Sequence, residues 1–122
     1  MAITISSQSQ LLDNQILIDS AVTADAQNNV RLSEATSYLF KIDNLNVASS
    51  AAYFKIWDHT NPIVGTTEPD YVLMIPATTS KTIIVTPGIT FTEGLSYACT
   101  LLAVVSSVAN PSHTVSLKMV VA

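Results

Sequence analysis

The chain is predicted to be all-β: a single antiparallel β-sandwich, of jelly-roll or immunoglobulin-like type, with seven to eight strands and an extended N-terminal arm. Three observations predict it. Short apolar runs alternate with polar residues at a period of two. Those runs are cut by Pro62, Gly65, Pro69, Pro76, Pro87, Gly88 and Gly94. β-Branched residues are abundant throughout, and no segment sustains a helical period.

Residues 1–33 are rich in Gln, Asn, Ser and Asp, and they lack Gly, Pro and aromatic residues. Two apolar pulses interrupt them, Ile3-Thr4-Ile5 and Ile16-Leu17-Ile18 running on to Ala21-Val22. Each reads as an edge strand or as part of an arm that docks on a neighbour, and 23–29 reads as a loop. Leu11 and Leu12 with Ile16 offer a weaker helical alternative. The arm, 1–33, is set apart from a sandwich domain at 34–122, and removing residues 1–20 is expected to leave the sandwich folded.

From residue 38 alternation is clear. Tyr38, Phe40 and Ile42 share one face of a strand, with Lys41 and Asp43 on the other. The run 52–58 puts Phe54 and Ile56 on one face and Tyr53, Lys55 and Trp57 on the other. One face is core, so a loop or a neighbouring subunit must also cover the second aromatic face. The twelve residues 59–70 form a long loop with corners at Asn61-Pro62 and Glu68-Pro69. Residues 71–75 are a fully apolar strand. After a turn at 76–80 comes a strand at 81–86, a break at Pro87-Gly88, and a short extended piece at 89–91. Residues 95–106 read as the longest strand, with Leu95, Tyr97, Cys99, Leu101, Ala103 and Val105 on one face. A loop at 107–112 leads into the last strand at 113–121. Gly65 and Gly94 suit a positive φ or a close backbone approach.

Composition excludes several functions. Only 11% of the 122 residues are charged, while serine and threonine supply 28. Ordinary soluble proteins are roughly 25% charged, so copies of this chain repel one another weakly and suit an assembly. The net charge is −4, and Lys41, Lys55, Lys81, Lys118 and Arg31 are scattered. Nucleic acid and anionic membranes require a clustered basic face, so neither is an expected partner. The start has no basic leader and no long apolar run, and the reading is use in a cytoplasm-like compartment.

Chemical motifs are sparse. Cys99 is the only cysteine and lies in an apolar run, where a buried, inert thiol is expected. Its raised pKa would leave little thiolate for a pair with His113. Asp58, His59, Glu68 and Asp70 carry donor types that divalent ions accept, but their spacing matches no ligand motif. No Gly-x-Ser-x-Gly elbow and no phosphate-cradling loop is present. The chain is expected to be no enzyme and to need no cofactor or metal. Tyr53, Trp57 and Tyr71 supply the rival reading, aromatics that stack on sugars in a carbohydrate-binding module or adhesin.

The middle of the chain carries a resemblance. Tyr-Phe-Lys-Ile-Trp-Asp at 53–58 is followed by Pro-Ile-Val-Gly-Thr-Thr-Glu-Pro at 62–69. Val-Leu-Met-Ile-Pro-Ala at 72–77 precedes Pro-Gly-Ile-Thr-Phe-Thr-Glu-Gly-Leu at 87–95. This order resembles a group of small β-sandwich proteins encoded among the virion structural genes of tailed bacteriophages. It covers roughly residues 38–122 and departs at the N-terminal third. The resemblance implies a virion component assembled in the host cytoplasm: a capsid decoration or cement protein that binds the major capsid protein. A tail, collar or fibre-associated adhesin is the alternative. A homo-oligomer is expected, a trimer by analogy with decoration proteins on three-fold axes. The expected partner contacts are Ile3, Ile5, Leu11, Leu12 and Ile16 of the arm, with His59, Pro62 and Glu68 of the long loop.

Overall fold

The computed structural model describes residues 3–7, 15–28, 35–44 and 50–121. Leu11 and Leu12 lie outside the described residues. The described residues form eight strands and no helix: β1 (Ile3–Ser7), β2 (Gln15–Val22), β3 (Ala35–Asn44), β4 (Ala52–Asp58), β5 (Tyr71–Ile75), β6 (Thr79–Phe91), β7 (Leu95–Thr100) and β8 (Val115–Val121). They build two antiparallel sheets, of order β1-β2-β8-β3-β6 and β5-β4-β7.

The pairing is nested around the β4–β5 pair. β4 pairs with β5, β3 with β6, and β2 with β8. Between the last two levels, Gln27 bridges Tyr97 of β7, and the Cys99 N–H donates to the Thr23 carbonyl at 2.8 Å. The stretch 23–28 is therefore a rudimentary strand beside β7 rather than a free loop. This rolled-up order is that of a jelly roll.

Inward rows from both sheets meet in one core. Leu17, Val22, Phe40, Ile42, Val115, Leu117, Met119 and Val121 face Ala52, Phe54, Ile56, Ile75, Leu95, Tyr97 and Cys99. Phe54 sits against Phe40 of the opposite sheet at a ring separation of 6.3 Å, and against Tyr97 at 5.6 Å. β8 shows the expected alternation, with Val115, Leu117, Met119 and Val121 buried and Lys118 exposed.

The two pulses of the N-terminal third are both strands of the five-stranded sheet. β2 is interior, between β1 and β8. Its Leu17 and Val22 are core, and the fully buried Asp19 accepts a hydrogen bond from the Tyr97 hydroxyl at 2.7 Å. That bond joins the two sheets. A detachable arm does not describe residues that build the sheet: deletion of residues 1–20 would remove β1 and most of β2.

Three further expectations change. The strand from Leu95 ends at Thr100, and β6, with 13 residues, is the longest. Tyr53 near the start of β4 already faces Thr100, so the ladder runs out of partner there. The Thr100 hydroxyl then donates to the Leu102 carbonyl and turns the chain. Pro87-Gly88 does not break β6. Opposite β3, the register jumps from Ser37–Ile89 to Leu39–Ile84, so residues 85–88 bulge. Proline has no N–H to lose from the ladder, and Gly88 takes up the distortion at φ 117°. Gly65 has the expected positive φ, at 93°, but Gly94 does not share it; its N–H donates to Asp58 instead.

The core also sets an alkaline response. Desolvation pushes the Cys99 thiol up to about 12 from its ordinary 9.0. The unfolded chain therefore releases this proton first, and stability is lost as pH rises from 9 towards 12. Desolvation lowers Lys55, which contributes the opposite slope below its ordinary 10.5. Thermal melts of Cys99→Ala should lose less stability between pH 9 and 10 than wild type. Equal losses would contradict a thiol held protonated by burial.

Candidate partner-binding surface

The outer row of β4 is covered by the chain itself. Tyr53 is half-buried, while Lys55 and Trp57 are each 1% exposed. Two loops form the roof. The 59–70 loop accepts the Trp57 indole N–H on the Thr67 carbonyl at 3.0 Å. The 101–114 loop accepts the Lys55 ammonium on the Val104 carbonyl at 2.8 Å. Sequence pattern showed that this face needed a cover; the cover is intramolecular.

The 101–114 loop is held by its own polar groups. Leu101 N–H donates to Ala109 O, Ser107 N–H to Val104 O, and Leu102 N–H to the Ser107 hydroxyl. Asn110 reaches across to accept the Ala24 N–H at 2.9 Å. With the backbone thus occupied, the aliphatic side chains point outward: Leu102 and Val104 are each 56% exposed and Val108 is 64% exposed. Ile63, on the companion loop, is 62% exposed.

The two loops touch at Gly65. A Cβ there would lie 2.6 Å from Val108 Cγ1, at a backbone angle that L-residues rarely adopt. Gly65→Ala should therefore destabilise the fold by about 1–3 kcal/mol. Val108→Ala should recover the steric part but not the backbone part, as measured by urea midpoints. A neutral Gly65→Ala would separate the loops. Beside this contact lies an open pocket of about 450 Å³, lined among others by Ala24, Asp25, Pro62, Ile63 and Val108. Residues 101–112 carry no charge, while the pocket rim and the companion loop carry the exposed Asp25, Glu68 and Asp70.

Of the sequence-predicted contacts, His59, Pro62 and Glu68 belong to this roof. His59 is exposed, with Nδ1 accepting from the Asn61 N–H. Pro62 is buried and lines the pocket, and Glu68 is exposed. Ile3 and Ile16 belong to the other sheet and are half-buried, Ile3 against the core. Ile5 lies in β1 opposite Leu17. Leu102 and Val104 were missed because 95–106 reads as one strand, and Val108 because 107–112 reads only as a connecting loop.

The polar groups here are committed to backbone. Burial works against ionisation of Asp58, but the N–H groups of Glu93, Gly94 and Thr92 and the Thr92 hydroxyl outweigh it and hold the carboxyl below its usual value. Asp70 accepts the Asp58 N–H at 2.6 Å. Among the described residues, no group of three or more His, Cys, Asp or Glu side chains is placed to hold a metal ion. Cys99 is fully buried and His113 is exposed.

The fold and surface define an all-β, two-sheet protein whose loop roof presents Ile63, Leu102, Val104 and Val108. A scan against protein-family models gives no match, and searches of curated proteins and of solved structures find none either.

Proposed function

We propose that this chain is a non-enzymatic structural component of a tailed-phage virion. It is a decoration or cement protein that sits on the capsid surface, binds the major capsid protein lattice and needs no cofactor. The observation that carries this reading is the pair of interlocked loops presenting Ile63, Leu102, Val104 and Val108 without a charge in 101–112. Apolar side chains on braced loops lose little conformational entropy on docking. Burying them contributes roughly 25 cal/mol per Å² before association costs, repeated at every lattice site. The jelly-roll order is compatible with a capsid role by fold analogy alone.

The sugar-binding alternative loses its strongest residue, because Trp57 lies under the 59–70 loop. Mass spectrometry of purified particles tests the proposal by counting copies. Hundreds per particle are expected for a lattice-bound protein. A handful would assign the chain to a tail or vertex, and none would overturn the virion reading.

A further inference from the structure

The two sheets have four outer strands, and three of them are unsuited to pairing with another chain. β7 is covered by residues 23–28 through the Gln27–Tyr97 bridge. β6 is distorted by its 85–88 bulge. β1 interleaves its two Ile residues with Thr and Ser, so its sequence offers no continuous apolar run to a partner. Bulges and covers are among the devices that blunt edges in natural sheets.

β5 is as short as β1, at five residues, but it is neither bulged nor covered by another strand among the described residues. Its sequence, Tyr-Val-Leu-Met-Ile, holds no charge, glycine or proline. Among the described residues no strand lies on its outer side. Tyr71, Val72 and Met74 are 43%, 40% and 48% exposed. Only its far end is tied down, where the Asn44 amide donates to the Ile75 and Pro76 carbonyls.

We propose that β5 pairs antiparallel with β5 of a second copy of this chain, about a two-fold axis at Leu73. The two three-stranded sheets then fuse into one six-stranded sheet, of order β7-β4-β5-β5-β4-β7. The case for a second copy is self-complementarity. Centring on Leu73 sets Tyr71 opposite Ile75 and Val72 opposite Met74; Ile75 is buried in the core, so the exposed Val72 and Met74 supply the new aliphatic pairs. With the axis at Leu73, only this residue faces its own twin, and it carries no charge. The flanking charges then match. Asp70 precedes the strand, and Lys81 reaches the Met74 carbonyl at 3.4 Å near its other end. Antiparallel pairing carries Asp70 of each copy towards Lys81 of the other. The pairing does not depend on the virion reading.

Such a short edge makes a small interface, so a weak dimer is expected, forming between about 10 and 500 µM. Sedimentation velocity on the full chain tests this across that range. Wild type should shift from monomer to dimer, and Ile84→Lys, an exposed change on β6, should behave the same. Val72→Lys and Met74→Lys should remain monomeric with unchanged melting temperatures. Amide exchange gives a second readout that needs no variant: the 71–74 amides should gain protection as wild-type concentration rises. A strictly monomeric wild type, a trimer, a dimer untouched by both lysine variants, or protection that does not follow concentration would overturn the proposal.

Discussion

Deletion of residues 1–20 should abolish cooperative folding. It removes β1 and most of β2, leaving β8 with no partner on that side. It removes Leu17 from the core, and with Asp19 it takes the acceptor of the buried Tyr97 hydroxyl. A buried donor left without its partner costs about 1–3 kcal/mol, and loss of a buried leucine side chain about 2–5. Adding the lost β2–β8 ladder takes the sum into the range of a whole domain's stability, about 5–15 kcal/mol. Circular dichroism and a thermal melt of the truncated chain check this. A retained cooperative transition would show that the jelly roll closes without β2.

Trp57→Ala should cost about 3–5 kcal/mol. The indole lies on the outer row of β4, outside the central core, yet it is 1% exposed beneath the 59–70 loop. Its removal leaves both a void and the Thr67 carbonyl without its donor. The loss should therefore spread to the loop that carries Ile63 and Pro62. Urea unfolding measures the cost, and a value below about 1 kcal/mol would place the indole at the surface. Its intrinsic fluorescence should also be indifferent to added saccharides.

The strands at 52–58 and 71–75 and the inward row of β8 were legible because short alternating or, at 71–75, wholly apolar runs there are bounded by turn-forming residues such as Asp58, Asp70, Pro76 and Pro111. The loop between the first two was legible through Pro62 and Pro69. What pattern could not show was which strands find partners. Leu101 to Val105 continue the β-character of β7, yet the β4 ladder is exhausted at Thr100. That is why Leu102 and Val104 emerge at the surface rather than in a sheet. The closest local signal was Ser106-Ser107, whose second hydroxyl and N–H close the loop. Pro87-Gly88 reads locally as a stop, whereas pairing on both sides of the bulge carries β6 through it. Asp19 gave no sign of its role, because its partner is 78 residues away. The polar composition of the N-terminal third likewise concealed an interior strand, since only Leu17, Asp19 and Val22 need to face inward.

The loop roof is the centre of the functional account, and occupancy on particles tests it most directly. Wild type and the charged variants Leu102→Asp and Val104→Asp would be added to purified phage heads stripped of this chain. Bound copies per head would then be counted by quantitative mass spectrometry. Both positions are more than half exposed, so the variants should fold with wild-type melting temperatures. The expected result is near-full occupancy for wild type and at least a tenfold loss for each variant. Equal occupancy for all three, or no binding by wild type, would contradict docking through these loops.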